Sequence, residues 1–197
     1  MSNTKKVSSE ILSKIRKLAQ ITDELYQGKN FNITRLTTLK SLCKEPYIAA
    51  HFVFYIAQRT QERMEDKEPE YVKPDKWIQH KELVKKAILK MKNYLEDRTK
   101  EDEQVLRDLL CEIKELQNEY ENQHWGPVRI IESFDTLVVE KALTCILSHE
   151  DSSFWGYHVG RGYAERYNPT YGTGLIPESA PLMEDIVSFW FQYYEIN

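Results

Sequence analysis

The sequence predicts an all-α fold: a single globular helical domain of about seven or eight helices with a long antiparallel helical hairpin. Three observations predict it. Apolar residues recur three and four apart through most of the 197 residues, which is the helical period. Residues 47–57 and 134–147 are apolar on nearly every side, the mark of helices buried at a centre. No stretch alternates with the period of two that a half-buried strand requires.

Each element has a local reason. Ser8 can cap a first helix with apolar positions Ile11, Leu12, Ile15, Leu18, Ala19, Leu25 and Tyr26, and Gly28 ends it. Residues 33–43 carry Ile33, Leu36, Leu39, Leu42 and Cys43 at helical spacing, although Thr34, Thr37 and Thr38 lower the propensity. Pro46 suits the first position of the next helix, where its missing N–H costs nothing. That helix runs from apolar to polar and ends in the acidic, proline-containing stretch 65–74.

Residues 75–124 read as the hairpin, a coiled-coil-like pair that projects from the domain or packs along its side. Asp75 is placed to cap its first arm, with a narrow stripe of Trp77, Val84, Ile88, Met91 and Leu95 among lysines. Thr99 and Asp102 resemble a capping box for the second arm, whose stripe is Leu106, Leu109, Ile113, Leu116 and Tyr120. Trp125, Gly126 and Pro127 stop that arm. Residues 125–197 form a Gly- and aromatic-rich helical part holding six of the seven glycines. Ser133 or Asp135 is expected to cap a second buried helix, the natural partner of 47–57. Asp151 or Ser152 is expected to cap a glycine-bearing helix running to about Tyr167. Gly156 and Gly160, four apart, would line one face of it and admit a close neighbour. A loop follows Asn168, and a last helix starts near Ser179 or Pro181.

Composition narrows the function classes. With 41% hydrophobic and 29% charged residues the chain can build a core and a solvated surface. The net charge of −4 divides into +6 over residues 1–44 and −6 over residues 125–197. The basic end makes nucleic-acid binding through 5–44 a weaker alternative. Cys43, Cys111 and Cys145 show no paired spacing, which fits thiols buried in a reducing compartment. With no leader-like or membrane-spanning stretch, the expected location is cytoplasmic.

No catalytic constellation emerges. The glycines fit neither nucleotide fingerprint, since Glu165 stands where a third glycine belongs and no strand precedes them. A single Glu121-x-x-His124 falls short of the paired motif of a di-metal bundle. No serine sits in a nucleophile elbow. The sequence therefore points to no catalytic residue, no metal and no cofactor, and a non-catalytic role ranks ahead of an enzymatic one.

What remains is a basic and aromatic set in an acidic region. Arg129, His149, His158, Arg161, Tyr163, Arg166 and Tyr171 are the candidate ligand- or partner-binding residues. Arginine beside small residues and tyrosines can present a forked donor to a carboxylate or phosphate. Arg161 can alternatively pair with Glu165 one turn on. The expected function is a cytosolic interaction protein, an adaptor, assembly or regulatory factor with a protein partner or a second copy of itself. The alternative is a ligand-binding or enzymatic bundle with a pocket lined by 149–175.

Overall fold

The computed structural model describes residues 7–65, 74–123, 131–148, 151–165 and 174–196, side chains excepted at 119–123 and 131–134. The fold is all-α. Among the described residues there are eight α-helices: α1 (Ser9–Tyr26), α2 (Thr38–Leu42), α3 (Pro46–Glu65), α4 (Pro74–Asp97), α5 (Lys100–Gln123), α6 (Ile131–Ser148), α7 (Ser152–Ala164) and α8 (Ala180–Tyr193). Short 3-10 turns, Ile33–Thr37 and Pro177–Ser179, precede α2 and α8.

Helix α3 is the hub. It starts at Pro46, packs on α6 and α7, and also meets α4 and α8. Its buried residues Ala49, Phe52, Val53, Ile56, Ala57 and Met64 face α6 residues Val138, Val139, Ala142 and Leu143 within one continuous core. The two helices that are apolar in sequence are thus the two at the centre. β-Branched Val138 and Val139 remain helical, because burial against α3 outweighs their weak preference for strands. Helix α4 packs on α3 and α6, and α5 packs on α4 and α6, so both lie along the core. Helix α1 packs on α8.

Several boundaries follow local chemistry as read from the sequence. The Ser8 hydroxyl accepts from the Ile11 N–H at 3.2 Å, and Gly28 leaves the first helix at φ +82°. The Thr99 hydroxyl accepts from the Asp102 N–H at 3.0 Å.

Other expectations need correction. Residues 33–43 do not form one helix: Asn32 caps a 3-10 turn through the Thr34 N–H at 2.9 Å, and α2 starts only at Thr38. Three threonines in that stretch favour the tighter turn. Helix α4 begins at Pro74, which puts Asp75 inside its first turn. Helix α6 begins at Ile131, so Ser133 and Asp135 lie within it. Asp151 precedes α7 in left-handed backbone (φ +55°) and makes no side-chain cap. Helix α7 ends at Ala164, before Tyr167, and Tyr167 lies outside the described residues together with the loop of 168–173. Cys43 and Cys145 are buried, but Cys111 is exposed on the outer face of α5.

Two devices bring distant segments together. Phe31 and Leu175 exchange backbone hydrogen bonds at 2.9 and 2.7 Å, an isolated antiparallel bridge. A Cβ at Gly174 would stand 2.5 Å from the Phe31 carbonyl oxygen, which explains the glycine there. The second device is a charged cluster at Asp185 of α8. Its carboxylate accepts from the Tyr163 hydroxyl at 2.5 Å, from Arg63 at 2.6 Å and from Arg59 at 2.9 Å. Arg63 also donates to the Tyr163 oxygen at 2.7 Å. Burial, then the bond to Asp185, pushes the Tyr163 hydroxyl well above the usual tyrosine range, so it stays a donor. Helices α3, α7 and α8 are thereby joined at one oxygen-rich point.

The expected close face of α7 is present, and side chains are what approach it. A Cβ on Gly156 would lie 2.6 Å from both Cβ and Sγ of Cys43, whereas one on Gly162 would meet only a Val138 methyl at 3.5 Å. Alanine is therefore expected to act in opposite directions. Gly162→Ala should gain up to ~1 kcal/mol of helix propensity. Gly156→Ala should lose ~1–3 kcal/mol, because α2 must move to admit it. Chemical denaturation of the two variants checks the sign of each. Asp185→Asn should cost about 2–3 kcal/mol by the same measurement. That is less than a fully buried ion pair, because Arg59 and Arg63 keep contact with solvent.

Candidate functional site

Helix α7 presents two unlike faces, and its glycines decide which is which. Gly156, Gly160 and Tyr163 turn inward with Ser152, whose hydroxyl donates to the Cys43 and Lys44 carbonyls at 3.1 and 3.0 Å. Those bonds satisfy the end of α2 and fix the rotation of α7. Phe154, His158, Arg161 and Glu165 are spaced four, three and four apart, so they share the outward stripe.

The stripe is aromatic at one end and charged at the other. Phe154 is 39% exposed, which is unusual for so large an apolar ring. Its ring centroid lies 4.2 Å from that of His158, and His158 lies 5.2 Å from Tyr157 edge to face. The Lys40 ammonium of α2 sits 4.9 Å over the Tyr157 ring. Arg161 donates through Nε to Glu165 at 2.9 Å, the helical pairing that the sequence allowed. Burial lowers the His158 pKa from its ordinary 6.5, and Lys141, Arg161 and Lys40 lower it further. Cations from α2, α6 and α7 thus all act against protonation of one imidazole.

Of the sequence candidates, the structure brings His158 and Arg161 together on this stripe. Tyr163 stands on the same helix but faces inward, where it serves the Asp185 cluster. Arg129, His149, Arg166 and Tyr171 lie outside the described residues. Sequence reasoning did not single out Phe154, Lys40 or Lys141. Phe154 carried a usable signal, since it lies one turn before His158 and opposite the glycine face. Lys40 and Lys141 carried none, because their nearness to His158 depends on how α2 and α6 pack.

This arrangement can recognise negative charge next to an apolar group. The neutral imidazole, the cations and the exposed ring supply hydrogen bonds, Coulomb attraction and a hydrophobic anchor. Among the described residues no group of three His, Cys, Asp or Glu side chains is placed to hold a metal, and no helix is long and apolar enough to cross a membrane. Of the basic N-terminal residues, Lys14 pairs with Glu10 at 2.6 Å, Arg35 approaches Glu24 at 3.8 Å, and Lys40 lies over the Tyr157 ring.

The lowered His158 pKa gives a pH test. The folded protein holds this proton less tightly than the unfolded chain, so His158 costs stability as pH falls through and below 6.5. His158→Gln should flatten the loss of unfolding free energy between about pH 7 and about pH 5. Parallel denaturation curves for the two proteins across that range measure it.

Comparison with protein families, curated proteins and solved structures finds no match to this chain.

Proposed function

We propose that this chain is a non-catalytic interaction protein that binds an acidic protein partner through the outward stripe of α7. One observation carries the reading: exposed Phe154 lies 4.2 Å from an imidazole whose charge Lys141, Arg161 and Lys40 oppose. An exposed apolar ring next to positively charged groups fits a partner that offers an apolar pocket bordered by carboxylates. The C-terminal part of the chain is otherwise acidic, so the stripe is a local reversal of sign. Glu165 already neutralises part of Arg161. A partner carboxylate can replace it with little loss, since such a surface pair contributes only roughly 0.2–0.5 kcal/mol.

A photo-crosslinking residue at position 154, and in a second protein at exposed Gln104 on α5, tests the proposal in an extract of the native host. The expected result is an acidic protein captured from position 154 alone. With that protein purified, Arg161→Gln and Lys141→Gln should each weaken binding several-fold while melting is unchanged, and the His158 pKa should rise in the complex. Equal capture from both positions, or affinity indifferent to both substitutions, refutes it.

A further inference from the structure

A second feature lies away from α7, where the start of α3 meets the ends of α4 and α6. A cleft of about 240 Å³ opens there, lined by Tyr47, Ala50, Tyr94, Leu95, Arg98 and Ile146. Its walls offer apolar and polar atoms in nearly equal measure, and its volume falls just below the roughly 300–1,000 Å³ typical of sites for drug-sized ligands. Arg98 is the one formal cation among the lining residues. Its guanidinium lies 6.0 Å over the Tyr47 ring, and the half-exposed Tyr47 ring packs tilted against His51, with centroids 4.2 Å apart. Among the described residues no carboxylate pairs with Arg98.

The backbone at Arg98 adds an independent point. The residue follows α4 in left-handed conformation, φ +50°, and its N–H donates to the Tyr94 carbonyl at 2.9 Å. Glycine is the usual residue at that position because it takes the conformation without steric cost. An arginine there accepts strain that a glycine avoids, and in return carries a forked donor to the rim of the cleft. Cys145 also lines the cleft, and burial pushes its thiol up to about 12, so it stays neutral and does not repel an anion.

We propose that this cleft binds a small apolar carboxylate, with the carboxylate held by Arg98 and the hydrocarbon part seated against Ala50, Leu95 and Ile146. The proposal stands apart from the α7 stripe and survives if that reading fails. Phenylacetate and its uncharged analogue phenylacetamide are the probes, followed by methyl NMR at Ala50 and Ile146 and by thermal melting. Phenylacetate is expected to shift both methyl signals and to bind at least tenfold more tightly than phenylacetamide. Arg98→Gln should abolish that preference. Arg98→Gly should abolish it too, while melting at or above the temperature of the parent protein, which separates lost recognition from lost folding. Methyl signals unmoved by phenylacetate at millimolar concentration, shifts confined to other parts of the molecule, or a preference that persists in Arg98→Gln would each overturn the proposal.

Discussion

Close approach of α7 to α2 and α3 is the constraint on which the architecture depends. A methyl group at Gly156 would stand 2.6 Å from Cys43, and one at Gly160 2.6 Å from Leu39 and 3.2 Å from Phe52, so neighbours would have to shift to admit either. Helix α2 is only five residues long and could not hold its place alone. It is held by the glycine face on one side and by the Ser152 hydroxyl on its terminal carbonyls. Each inward glycine costs about 1 kcal/mol of intrinsic helix stability relative to alanine, so packing must more than offset it. The same seating decides which side of α7 meets water, and therefore that Phe154, His158 and Arg161 are presented together.

The Asp185 cluster fixes the far end of this helix. Tyr163 is seven residues beyond Gly156, two helical turns along the same inward face. Its hydroxyl bond to Asp185 joins α7 to α8, and Arg59 and Arg63 join both to α3. Two arginines on one carboxylate leave an excess of positive charge, which Glu62 balances beside Arg59. A largely buried charge is tolerated there because both of its oxygens are engaged.

What could be read from the sequence was what local chemistry decides. Ser8, Pro46 and Thr99 sit at helix starts for reasons contained within four residues, and the all-round apolar character of 47–57 needs no knowledge of its partner. The break at 33–43 was harder, since the apolar spacing there suits an α-helix and the Asn32 cap competes with it. Asp185 was hidden more deeply. An acidic residue near a helix start already has a sufficient local explanation in the helix dipole, whereas its actual partners lie 122 and 126 residues away. His80 is similar: it sits in a lysine-rich helix, yet is fully buried beside Thr136 at 3.0 Å. The candidate site was half legible for the same reason. His158 and Arg161 belong to one helix, while Lys40 and Lys141 reach them only through tertiary packing.

The bridge between Phe31 and Leu175 and the packing of α1 on α8 make the order of assembly differ from the order of synthesis. A ribosome emits the chain at about 5–20 residues per second, so α1 emerges on the order of ten seconds or more before its main partner. During that interval Ile15, Leu18 and Leu25, all fully covered in the finished fold, have no α8 to cover them. Helix α1 is open during that interval to capture by chaperones or by neighbouring nascent chains. A fragment that stops short of α8 carries that exposure permanently.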